Sequence, residues 1–116
     1  MPKRISGTSR ALDGHTYVLE YGAAKVLKIG KAVYYAERLA QLRNMSPIEP
    51  NVVCVLEGLA HERIMHKRFA HLRVRGEFFQ DVAEIREYVA SHPRAVSHEH
   101  AVSTCNYTQS RKRLLP

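Results

Sequence analysis

The sequence predicts a small α/β domain of the α+β kind, a three-stranded antiparallel sheet flanked by helices. Three observations predict it. Residues 15–21 and 25–29 are rich in aromatic and β-branched side chains and are separated by Gly22 and Ala23, the pattern of a hairpin. Residues 52–56 (Val-Val-Cys-Val-Leu) form a continuous apolar run of the kind found in buried strands. Three other stretches space their apolar residues at helical intervals.

Taken in order, residues 1–14 hold Gly7, Ser9, Asp13, Gly14 and basic residues, and read as a loose basic arm. The first strand covers 15–21 and the second 25–29. A two-residue loop at Gly22-Ala23 would pair Tyr21 with Ala24, set Tyr17 directly across from Lys28, and set Glu20 across from Lys25. A three-residue loop would put Tyr17 opposite Ile29 and turn Lys28 to the far face. The stretch 31–43 reads as a helix with Tyr35, Leu39 and Leu42 on its apolar stripe, Tyr35 being the core residue and Arg38 lying off it. Pro47 and Pro50 mark a connecting loop, and 51–57 is the third strand. A second helix, 59–72, buries Met65, Phe69 and Leu72 and carries Glu62, His66 and Arg73 on an adjacent stripe. Phe78 and Phe79 join the core. Asp81 and Glu84 have the spacing of a capping box, opening a third helix whose Val82, Ile85 and Val89 face inward until Pro93 stops it. The domain is thus expected to span 15–92, with 93–116 a polar, basic tail. His98, His100 and Cys105 in that tail lack a complete four-ligand zinc pattern.

A chain of 116 residues with 45% hydrophobic content supports one domain with a modest core. Eighteen Lys and Arg against eleven Asp and Glu give a net charge of +7, which favours an acidic partner, nucleic acid being the commonest. No apolar run is long enough to span a bilayer, and Met-Pro-Lys-Arg-Ile-Ser-Gly lacks the apolar core of a secretory signal. Two cysteines, Cys54 and Cys105, make no disulfide framework, so a reduced, cytoplasmic protein is expected.

Glu62 is the only carboxylate between His61 and Arg75, a stretch that also holds Arg63, Lys67, Arg68, Arg73 and Arg75. A solitary acid among cations suits a site that holds a hard divalent ion against a polyanion. The competing reading is a surface ion pair with a neighbour on the same helix.

The order and spacing of these residues resemble the GIY-YIG nuclease superfamily. Thr16-Tyr17-Val18 stands at the GIY position and Lys28-Ile29-Gly30 at the YIG position. Their lead residues, Tyr17 and Lys28, are 11 positions apart; Arg38 follows Gly30 by eight, and Glu62 matches the glutamate of a later helix. Glu62, His66, Phe69, Arg73 and Gly76-Glu77-Phe78-Phe79 are similar to a phage-associated subgroup labelled as DNA-binding domains. The resemblance covers about residues 15–90. His15 replaces the first glycine, Lys28 replaces the YIG tyrosine, and Glu77 lies where the family has a late asparagine.

The resemblance implies a metal-dependent DNA endonuclease. Tyr17 would act as general base, directly or through a hydrogen bond to the attacking water, Arg38 would clamp the scissile phosphate, and Glu62 would hold Mg²⁺ or Mn²⁺. Lys28 would donate to a phosphate or help deprotonate water, and His66 would position water, ligate the metal or contact phosphate, the competing reading being a structural histidine packed near Phe69. Gly30 would allow close approach of the strand to its neighbours. Lys31, Arg63, Lys67, Arg68, Arg73 and Arg75 are candidate phosphate contacts, and Tyr34 a candidate stacking surface for bases. With no separate module to read a groove, single-stranded or branched DNA is the expected substrate. The alternative is a GIY-YIG-like module that binds DNA without cutting it, with Lys28 marking the loss.

Overall fold

Among the described residues six strands, not three, form the sheet, antiparallel throughout. The computed structural model describes residues 13–104, so the expectations for 1–12 and 105–116, including Cys105, lie outside the described residues. At the centre, β1 (His15–Tyr21) pairs with β2 (Val26–Ala32) and with β3 (Asn51–Glu57), the second ladder shifting register between Val18 and Leu19. The three strands absent from the sequence reading are short: β4 (Arg73–Arg75), β5 (Phe78–Gln80) and β6 (Ala95–Val96). None is long enough to show an alternating pattern; in the sheet order β4-β5-β2-β1-β3-β6, β5 and β6 join the longer β2 and β3, and β4 joins β5.

The central hairpin is two positions out of the expected register. Tyr17 pairs with Gly30 and Lys28 with Leu19, so Tyr17 and Lys28 do not stand opposite each other. Its loop is a 3₁₀ turn, Gly22–Ala24, closed by Lys25 in the left-handed region at φ 58°. The Lys25 amide donates to the carbonyls of Tyr21 (3.0 Å) and Gly22 (3.1 Å), which stabilises a conformation that a lysine rarely adopts. The expected Glu20–Lys25 pair does not form; Glu20 lies opposite Leu27. Because the slip is an even number of residues, Tyr17 and Lys28 still project from one face.

Two cores cover the two faces. On one, Tyr17, Leu19, Tyr21 and Val55 pack under α1 (Tyr35–Met45), chiefly against Tyr35 and Leu39. On the other, Val18, Leu27, Ile29 and Leu56 pack against Met65 and Phe69 of α2 (Ala60–Arg68) and Ile85 and Val89 of α3 (Ala83–Ala90). Fully burying a side chain such as Phe69 or Phe79 stabilises by roughly 1.5–3 kcal/mol relative to exposure.

Both longer helices are shorter than expected. Lys31 and Ala32 belong to β2, which delays α1 to Tyr35, and a 3₁₀ turn at Ala70–Leu72 follows α2. The expected capping box at α3 is absent, its N-cap being Val82 with no side-chain cap bond. Asp81 instead accepts two bonds from Arg86, 2.7 Å at Nε and 2.9 Å at Nη2, while the same Nη2 donates to Glu20 at 2.6 Å. The Arg86 bond holds the Asp81 carboxyl below its usual range. This fork ties the start of α3 to β1.

The fold also runs past Pro93, where a tail was expected to begin. β6 pairs with Val55 and Leu56, and residues 98–104 are helical, with Ala101 buried against the Tyr17 core. Among the described residues no helix is long and apolar enough to cross a membrane.

Candidate active site

The site forms where β5 ends. β5 pairs with β2 only from Val26 to Lys28, so the edge of β2 is unpaired from Ile29 onward. Two groups occupy that edge. The Glu77 carbonyl accepts from the Ile29 amide at 2.9 Å, and His66 Nε2 donates to the Ile29 carbonyl at 2.8 Å. α2 is thereby pinned beside Gly30, with Glu62 one turn earlier on the same side.

Gly30 meets the phenol of Tyr17 across the hairpin. A Cβ at position 30 would lie 2.5 Å from Tyr17 Oη and 2.7 Å from Cζ, so no side chain fits there with the ring in place. Tyr17 is only 3% exposed, and its ring sits 6.2 Å from that of Tyr35. Its pKa is pushed up to about 12, first by burial and then by Glu77; Arg38 opposes the rise and Glu62 adds to it. The phenol of Tyr17 thus feels Arg38, Glu62 and Glu77 together. At neutral pH it is protonated, a hydrogen-bonding group rather than a phenolate.

Glu62 is poorly satisfied for a carboxylate of its burial. Its side chain is 14% exposed, and its nearest partners are Lys31 Nζ at 3.9 Å and His66 Nε2 at 3.5 Å, both long. Among the described residues it accepts no shorter bond. The ion-pair alternative raised by the sequence is therefore present only in weak form. Its open oxygen lone pairs fit a hard divalent cation, which is commonly held by one or two carboxylates with water and phosphate completing the shell. Among the described residues no group of three or more His, Cys, Asp or Glu could hold a metal ion.

His66 is committed on both ring nitrogens. Nε2 faces a carbonyl and so carries the proton, leaving Nδ1 to accept from Arg73 Nη2 at 3.3 Å. Arg73 also reaches the His66 carbonyl at 3.4 Å and lies 5.2 Å over the Phe79 ring. Both residues hold α2 and the sheet edge in place. Lys28 Nζ bonds Glu77 at 2.7 Å and lies 5.2 Å from the Phe78 ring centre. Arg38, on the exposed side of α1, forms no ion pair among the described residues.

The remaining expected contacts disperse. Arg68 lies 4.6 Å over the Tyr88 ring of α3 while remaining exposed. Tyr34 is half-buried against the Tyr17 core at the start of α1, which weakens its case as a stacking surface. Lys67 and Arg75 are exposed, and Arg63 and Lys31 line a cavity at the start of α2. His98 bonds Tyr35 at 2.7 Å and His100 lies 3.5 Å from Glu57. Glu77 and Arg94 had no assigned role in the sequence. Glu77 was legible as part of Gly-Glu-Phe-Phe; Arg94 carries no motif and arrives only through β6.

No curated protein and no solved structure matches the chain. Residues 14–108 match the T5orf172 domain, a phage-associated domain related to nuclease-type folds. With nearly the whole described fold inside that match, the chain belongs to the T5orf172 domain family.

Proposed function

We propose that the protein is a DNA endonuclease of GIY-YIG-like type that hydrolyses phosphodiester bonds with Mg²⁺ or Mn²⁺. The observation that carries the reading is Glu62, a largely buried carboxylate with only long contacts, whose charge, like that of the Arg38 guanidinium, bears on the Tyr17 phenol. Glu62 would hold the ion, which when bound supplies positive charge to a phosphate oxygen. Arg38, free of ion pairs among the described residues, would donate to the non-bridging oxygens and stabilise the charge that grows there. Tyr17, protonated at neutral pH, would orient the attacking water through its hydroxyl rather than remove a proton as phenolate. Water oxygen would bond to phosphorus and release its proton to solvent, one ester P–O bond would break, and the departing oxygen would take up a proton from solvent. Lys28 would contact phosphate or hold Glu77 in place, and His66 and Arg73 would fix the position of Glu62.

A specific observation favours the second reading, a DNA-binding module without catalysis. Where the resemblance calls for a tyrosine, Lys28 is locked to Glu77 at 2.7 Å. Incubation with end-labelled single-stranded, duplex and branched DNA in Mg²⁺, Mn²⁺ or EDTA separates the two. Metal-dependent products support the nuclease. Salt-sensitive binding to all three forms with no product in any metal supports the module. Faster cutting of single-stranded or branched DNA than of duplex would bear on the substrate preference, for which the half-buried Tyr34 now offers little.

A further inference from the structure

A cavity of about 740 Å³ opens where α2 begins, and its charge is lopsided. Lys31, Arg63 and Arg94 line it, against one carboxylate, Asp13. Among the described residues Arg63 and Arg94 form no ion pair, and Lys31 has only its 3.9 Å contact with Glu62. Three cations gathered in a concavity repel one another, and an anion that enters relieves the repulsion.

The walls are built, not incidental. Gly14, at φ 126°, packs so closely that a Cβ there would lie 2.4 Å from the Ala32 carbonyl and 2.8 Å from Leu59. The Gly58 amide donates to the Gly14 carbonyl at 2.9 Å, and Thr16 Oγ1 donates to the Gly58 carbonyl at 2.8 Å. On the far side the Glu57 amide donates to the Arg94 carbonyl at 3.0 Å, which fixes the backbone that carries the third cation. Three distant segments are thus locked around the opening without using any of the three cationic side chains.

The cavity adjoins the candidate active site. Lys31 belongs to both, and Arg63 follows Glu62 on α2. Its volume falls within the usual range for small-molecule sites, larger than a bare phosphate requires. The ring of His61 and the side chain of Ile64, an apolar residue left 53% exposed, supply surface for a sugar or base.

We infer that this cavity is a second nucleotide subsite, in which Lys31, Arg63 and Arg94 hold the phosphate next to the one at Glu62 while His61 and Ile64 flank its sugar or base. The inference rests on the nucleic-acid reading above but not on catalysis. It gives the strand a path, across the start of α2.

The test is thymidine monophosphate titrated into the ¹⁵N-labelled full chain without metal. It is repeated with inorganic phosphate and with the variants Arg63→Gln and Arg94→Gln. Saturable shifts at the amides of residues 58–64 are expected. Each variant should weaken binding by about tenfold, the loss of one charge-assisted contact, with unaffected amides elsewhere reporting an intact fold. No shift at 58–64, or an unchanged affinity in both variants, overturns the subsite. Inorganic phosphate binding as tightly as the nucleotide overturns the nucleotide assignment. Because the readout needs neither metal nor cleavage, a failed nuclease assay leaves it standing, and its own failure leaves the nuclease reading intact.

Discussion

Gly30→Ala is the perturbation whose consequence the geometry defines most narrowly. The new methyl carbon would stand 2.5 Å from Tyr17 Oη, 2.7 Å from Cζ and 2.8 Å from Cε1. To reach an ordinary contact of 3.4 Å the hydroxyl must retreat by about 0.9 Å. The ring has little room to do so, being 3% exposed and packed with Tyr35 and Val55. Overpacking of this kind costs about 1–3 kcal/mol, offset by ~0.4–1 kcal/mol because alanine narrows the unfolded ensemble. A net loss of about 1–2 kcal/mol follows, seen as a fall in Tm of roughly 5–15 °C. Thermal or urea unfolding followed by circular dichroism measures it, in the wild-type and Tyr17→Ala backgrounds. Without the ring there is nothing to strike, so Gly30→Ala should then be nearly neutral, a coupling of about 1 kcal/mol or more. A shift of the phenol by about 1 Å should also slow cleavage by about 10²-fold if the hydroxyl orients the water. An identical stability change in both backgrounds, or a Gly30→Ala protein within about 0.5 kcal/mol of wild type, would refute the reasoning.

Arg38→Lys should lower kcat by about 10²-fold or more, because an ammonium cannot reproduce two parallel donors on a phosphate; single-turnover cleavage at saturating enzyme measures this, and an unchanged rate removes Arg38 from the site. Tyr17 has a folded pKa of about 12 against 10.0 unfolded, so its contribution to stability is whole below pH 10 and is lost as pH rises towards 12. The loss by pH 11.5 is about 2 kcal/mol, and Tyr21 shifts in the same direction; urea unfolding at pH 9 and pH 11.5 should show a smaller loss in Tyr17→Phe than in wild type. His15 runs the other way, its burial holding the imidazole below 6.5 against the pull of Glu57, so its contribution is present above pH 6.5 and is lost as pH falls. Both of its ring nitrogens are buried without partners among the described residues, so His15→Leu should unfold less readily than wild type at pH 5, and equal acid sensitivity would contradict this.

What was legible in the sequence was what periodicity and composition encode. The hairpin of β1 and β2, the apolar run of β3 and the inward faces of Tyr35, Phe69 and Ile85 are all local signals that the fold leaves in place. The hairpin register was not legible, because it depends on Lys25 adopting a left-handed conformation that glycine would normally supply. Arg-Val-Arg at β4 and Ala-Val at β6 carry no strand signal of their own and pair only because β5 and β3 are already there. The site divides in the same way. Tyr17, Gly30, Arg38 and Glu62 were singled out by spacing, and the charges of Arg38 and Glu62 both bear on the Tyr17 phenol in the folded chain. His66 and Arg73 share a helical stripe in the sequence, yet only the open edge of β2 explains why they bond each other and Ile29. Arg94 lies 31 residues beyond Arg63 and reaches the same cavity through β6, a contact no local pattern could disclose.

The central claim is that a metal-dependent cut depends on the Glu62 carboxylate, and the direct measurement compares wild type with Glu62→Ala. Labelled DNA is incubated with each in Mg²⁺ or Mn²⁺, and the affinity of both proteins for the same DNA is read in the same buffer. Loss of product in the variant, with DNA binding still measurable, is the predicted result. Cleavage by Glu62→Ala at the wild-type rate would contradict the account.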